Sequence, residues 1–151
     1  MKKTAVIFSL ALVLFSSAVF PRQKGTKKEA EAMVKKAIEY YQKHGAKKTF
    51  EAITNTKGEF VKGDLYVFVY DLKGKCVAHG GNVHQVGKDL IELKDPEGKL
   101  FISERLELIK KKGKGWHEYT WSNPATREIE KKTAYVEKAD KYIFGCGVYG
   151  D

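Results

Sequence analysis

Apolar residues return at helical spacing from Thr26 onward. Ala30, Met33, Val34, Ala37, Ile38 and Tyr41 fall on one stripe, while Lys35, Lys36, Glu39 and Lys43 face away from it. Thr26 followed by Glu29 is a capping-box pair that starts this helix, and Gly45 is the residue type that closes one. A second short helix is predicted over residues 48–53, ending in the polar turn 54–58. The stripe reads as core or dimer contact rather than as a ligand site.

The period then changes to two. In residues 65–70, Tyr66, Phe68 and Tyr70 alternate with Leu65, Val67 and Val69, so both faces of the strand are apolar and it is predicted to be central. Residues 71–74 form a tight turn into a partner strand over 75–79. The Gly- and Asp-rich connection 80–98 is too long for a simple turn, and such loops often carry function. A helix is predicted over 100–112, with Ile102, Leu106 and Ile109 inward and lysines at its negative dipole end. Three strands follow, over 116–121, 130–137 and 141–149.

Ahead of these elements, Lys2 and Lys3 precede an apolar run that ends in Ser16, Ser17 and Ala18, the order of a secretory signal peptide cut after Ala18. The run falls short of the ~20 residues a bilayer core requires, which weighs against an uncleaved anchor. The expected organisation is therefore a signal peptide (1–18), a leader (19–25) and one domain (26–151), periplasmic or secreted after cleavage. At 151 residues, with 42% hydrophobic and 12% aromatic residues, the chain is large enough for one real core. Cleavage lowers the formal charge from +9 to +7, and a basic surface draws anions. Export argues against nucleic acid and leaves small carboxylates, anionic lipid headgroups or an acidic protein.

Most motifs carry little chemistry. Gly145, Gly147 and Gly150 spell GxGxxG, but no helix follows to seat a pyrophosphate, so these glycines are expected to allow close strand packing or backbone approach to a ligand. His79 and His84 lack partners at zinc spacing, and residues 95–98 lack the alternating oxygens of a calcium loop. No Ser or Cys sits in a nucleophile elbow, so no enzyme chemistry, metal or cofactor is expected. The strand His117, Tyr119, Trp121 and the strand bearing Lys132 and Tyr135 stand out. Amphipathic aromatics beside a lysine suit a small pocket for a carboxylate, although the same alternation also fits a sheet core.

The segments YVFVYDLKGKCVAH, VGKDLIELKDPEGKLFI, GKGWHEYTWSNP, KKTAYV and GCGVY, in this order, resemble the single Cache domain of bacterial extracytoplasmic sensors, type 2 in particular. The resemblance implies an α+β, PAS-like five-stranded antiparallel sheet in the order 2-1-5-4-3, with a long N-terminal helix and short flanking helices. It also implies a pocket for acetate-, propionate-, pyruvate- or lactate-like anions. The family's ligand-contacting positions fall on His79, Tyr119, Trp121, Lys132 and Tyr135, and Tyr66 and Phe68 complete the expected ligand-binding set. Lys132 and Tyr135 differ by three, so in a regular strand they face opposite ways, and Lys131 is the substitute if Lys132 points away. Gly80 stands where the family commonly has Pro. With Cys76 on strand 2 and Cys146 on strand 5, two steps of ~4.8 Å separate them, beyond the ~7 Å reach of a disulfide, so free thiols are expected.

The function expected from these residues is periplasmic small-molecule sensing, exerted through a membrane receptor or kinase partner, with a possible homodimer. The alternative is a protein-interaction subunit that binds no small molecule and docks through its N-terminal helix.

Overall fold

The computed structural model describes residues 24–150, so the signal-peptide reading and most of the leader lie outside the described residues. Helix α1 (Lys27–Thr54) begins with the expected capping box: Thr26 Oγ1 accepts from the Glu29 N–H, and the Glu29 carboxylate accepts from the Thr26 N–H. The two expected helices run on as one element that breaks at Gly45, where φ is 77° and ψ is 173°. A side chain there would meet nothing, so backbone conformation alone selects glycine.

Six strands follow: β1 (Val61–Lys62), β2 (Leu65–Asp71), β3 (Cys76–His79), β4 (Lys114–Ser122), β5 (Ile129–Ala139) and β6 (Tyr142–Tyr149), with helix α2 (Phe101–Lys112) between β3 and β4. All pairings are antiparallel. One edge of β2 takes β1 and β3, the other takes β6; β5 pairs with β6 and β4 with β5. At two residues, β1 is too short to leave a period in the sequence. The architecture is the expected α+β one, with a long N-terminal helix and an antiparallel sheet.

The two faces of β2 build two cores. Leu65, Val67 and Val69 pack with Phe144, Cys146 and Val148 under Ala30, Val34 and Ala37 of α1. Tyr66, Phe68 and Tyr70 face Phe101, Ile102 and Ile109 of α2. Cys76 and Cys146 are buried free thiols in different cores, on opposite faces of the sheet.

Strand β4 lies at the rim of the sheet, and the turn before α2 closes its outer edge. Asp95 accepts from its own turn's Glu97 and Lys99 N–H groups and, across the gap, from the Thr120 N–H at 2.9 Å, while Lys99 Nζ donates to the Glu118 carbonyl.

Candidate ligand-binding site

The register aligns three residues across the α2-facing side of the sheet: Tyr119 of β4 stands opposite Lys132 of β5, which stands opposite Tyr149 of β6. Lys132 is 1% exposed. Its ammonium donates to Tyr66 Oη at 2.6 Å and Tyr149 Oη at 3.2 Å, and lies 3.9 Å from the Tyr66 ring centroid. The two phenols share a hydrogen bond of 2.8 Å, and Tyr149 also donates to the Ser122 carbonyl. Burial lowers the Lys132 pKa to about 7 and raises those of Tyr66 and Tyr149, because each charged form has lost its water.

Two glycines make room for this arrangement. A Cβ at Gly147 would stand 2.6 Å from Lys132 Cε, and one at Gly145 would stand 2.2 Å from Phe68 Cε2. Gly145 and Gly147 thus let side chains of neighbouring strands cross β6, which is close strand packing.

Helix α2 supplies the residue that sequence reasoning missed. Arg105, four positions after Phe101, is 1% exposed. Its guanidinium lies 4.4 Å from the Phe68 ring centroid and 5.5 Å from that of Tyr119, while Phe101 stacks on Tyr119 at 4.5 Å. Arg105 Nε donates to His117 Nε2, which leaves the His117 proton on Nδ1. Arg105 Nη1 and His117 Nδ1 are both buried without a hydrogen-bond partner among the described residues. Burial, reinforced by Arg105, lowers the His117 pKa to about 2 and keeps the imidazole neutral.

Tyr66, Phe68, His79, Tyr119, Trp121 and Lys132 therefore come together on one face. His79 lies over Tyr66 and Phe68, with Nδ1 accepting from the Gly81 and Asn82 N–H groups, and burial holds its pKa at about 3. Trp121 reaches the edge of the Phe101 ring. Tyr135 does not join them. Strand β5 runs without a bulge, so Tyr135 points to the α1 side, where it donates to Glu137 and contacts Trp116. By the same parity Lys132, not Lys131, faces the site. Tyr149 also escaped prediction, although its parity with Gly145 and Gly147 gave its face.

The site thus holds two buried cations on an aromatic floor. Both lie over the Phe68 ring, at 4.4 Å and 5.5 Å from its centroid, so they are within about 10 Å of each other and repel. Among the described residues neither forms a salt bridge.

The sequence profile of the family described as Single Cache domain 2 matches residues 17–151. The chain belongs to this family. Cache domains are extracytoplasmic sensor modules that bind ligands. This Cache domain is 38% identical over 90 residues to the sensor histidine kinase MctS of Rhizobium johnstonii, covering 58% of the chain and 19% of that protein. It is 32% identical over 90 residues to the methyl-accepting chemotaxis protein McpP of Pseudomonas putida, covering 58% of the chain and 16% of that protein. The chain thus spans less than a fifth of the length of these curated relatives. A solved structure described as "Structural basis for carboxylic acid recognition by a Cache chemosensory domain" superposes with a TM-score of 0.70 at 27% identity, over 82% of this chain and 92% of that one. A methyl-accepting chemotaxis protein of Vibrio parahaemolyticus shares the fold, with a TM-score of 0.71 at 22% identity over 82% and 87% of the two chains.

Proposed function

We propose that this Cache domain is a periplasmic sensing module for a short-chain carboxylate of the acetate, propionate, pyruvate or lactate type. In this reading residues 1–18 are removed on export, and the signal passes to a membrane receptor or kinase. The observation that carries the reading is the pair Arg105 and Lys132, both buried and both without a counter-ion among the described residues. A buried charge lacking a partner is costly, and an incoming carboxylate supplies the missing anion and the acceptor for Arg105 Nη1. The ligand's carbon chain then lies on Phe68, Tyr119 and Trp121, with Tyr66 and Tyr149 holding the ammonium and His79 packed against Tyr66. The neighbour described by carboxylic acid recognition supports the ligand class, and the kinase and chemoreceptor relatives support the output.

Isothermal calorimetry against the four acids at pH 6 tests this. Binding is expected for at least one of them, and it is lost in both Arg105→Met and Lys132→Met variants that still melt cooperatively. Absence of heat at millimolar ligand, or undiminished binding in both variants, would overturn it.

A further inference from the structure

The lysines left over by the ligand site gather at one end of the molecule. Asp71 of β2 is the register partner of Tyr142, and Ala139 pairs with Tyr142, which brings the β2–β3 turn with Lys73 beside the β5–β6 turn with Lys138 and Lys141. The Lys138 N–H donates to the Gly113 carbonyl, which places the end of α2, with Lys110, Lys111 and Lys112, at the same pole. Tyr41 donates to Asp140, and Phe50 meets Tyr142, so the α1 break between them brings Lys43, Lys47 and Lys48 there too.

All of these lysines are exposed, and none is in a salt bridge among the described residues. Ion pairs among the described residues lie elsewhere, as on Lys35, Lys36, Lys62 and Lys99. Glu39, Glu51 and Glu107 stand one helical turn from Lys43, Lys47 and Lys111 and offset part of this charge, while Asp71 is engaged with the backbone of its own turn, Glu137 with Tyr135 and Asp140 with Tyr41, so the lysines outnumber the carboxylates at this pole. The chain enters and leaves at the other pole, where Gly25 donates to Asp64 and Gly150 to the Lys131 carbonyl.

We propose that this pole docks on an anionic lipid surface. The charges sit on lysines, compact point charges without the fork that pairs with a carboxylate in fixed geometry, and protein interfaces are depleted in lysine. A headgroup layer asks for summed charge rather than for fixed geometry. Leu72, 42% exposed on the β2–β3 turn, adds an apolar tip of the kind that settles into a headgroup layer.

Flotation with vesicles of phosphatidylglycerol and phosphatidylcholine, against pure phosphatidylcholine, tests the assignment. Partition is expected only onto the anionic vesicles, and it falls at least about tenfold when salt rises from ~0.05 to 0.5 M, where the Debye length shrinks to a few ångströms. The triple reversal K110E/K111E/K112E, and separately K43E/K47E/K48E, should each cut partition by about tenfold or more, while K131E at the opposite pole changes it less than about twofold. Carboxylate binding is unaffected by either triple reversal, which separates this proposal from the ligand site. No partition at low salt, equal binding to neutral vesicles, binding to an acidic protein but not to vesicles, or a loss in K131E as large as in the triples would each overturn it.

Discussion

The ε-carbon of Lys132 occupies the space in which a side chain at Gly147 would begin, 2.6 Å from the position of its Cβ. Alanine at 147 also meets the Thr133 carbonyl at 3.0 Å and the Ala134 methyl at 3.1 Å, so the lysine cannot simply swing away and leave the strand relaxed. Gly147→Ala is expected to destabilise the domain by about 1–3 kcal/mol and to displace the ammonium from its two phenols. Thermal unfolding and ligand titration should both register the change.

Arg105→Met separates a structural role for the arginine from a ligand-binding one. An unpaired buried cation costs stability, and methionine fills similar volume without charge. The ligand-free variant is therefore expected to melt at or above the wild-type temperature, while carboxylate affinity drops by about a hundredfold or more. A fall in melting temperature with affinity intact would mean that the guanidinium holds the aromatic cluster together instead.

Stability and affinity should respond to pH in opposite directions. Burial lowers Lys132 from its ordinary range to about 7, so between pH 7 and the unfolded value the unfolded chain binds more protons than the folded one. Stability of the ligand-free domain then rises with pH across that window, by at most about 1.4 kcal/mol per unit from this one group. His79 and His117, lowered to about 3 and about 2 by burial, act in the same sense below pH 6.5, where acid protonates them in the unfolded chain first. Carboxylate affinity runs the other way, because the amine loses the charge that attracts an anion as pH rises through 7. Calorimetric titrations and urea melts at pH 6, 7, 8 and 9 would expose both slopes.

Two tyrosines on neighbouring strands should behave differently. Tyr149→Phe removes the hydroxyl that accepts from Lys132 and donates to the Ser122 carbonyl, and it should weaken carboxylate binding by about 5- to 20-fold, or 1–2 kcal/mol. Tyr135→Phe removes a hydroxyl bonded to Glu137 on the opposite face, and affinity should stay within about twofold. Parallel titrations of the two variants decide the point.

Strand alternation made much of this legible in advance. Period two put Tyr66 with Phe68, and Tyr119 with Trp121, and the three-residue offset between Lys132 and Tyr135 already hinted that one of them would face away. Helix periodicity was less generous. Arg105 falls on the buried side of α2 with Phe101, Ile102 and Ile109, but in a helix ending in three lysines its charge reads as solvated. The aromatic rings of β2 and β4, distant in sequence, join Phe101 in making that position habitable for a guanidinium. Tyr149 was hidden differently, at the end of a glycine-rich strand whose motif invited a backbone explanation.

The latch on β4 has a consequence for how copies of the domain coexist. With Asp95 on the Thr120 N–H and Lys99 on the Glu118 carbonyl, two outward groups in the middle of the rim strand are already taken, and the turn that takes them covers the strand against another chain. Growth of the sheet from this edge must first evict that turn. One short acidic turn thus acts as a stopper against edge-to-edge polymerisation, and loosening it, as in Asp95→Ala, would turn a self-contained sheet into a template.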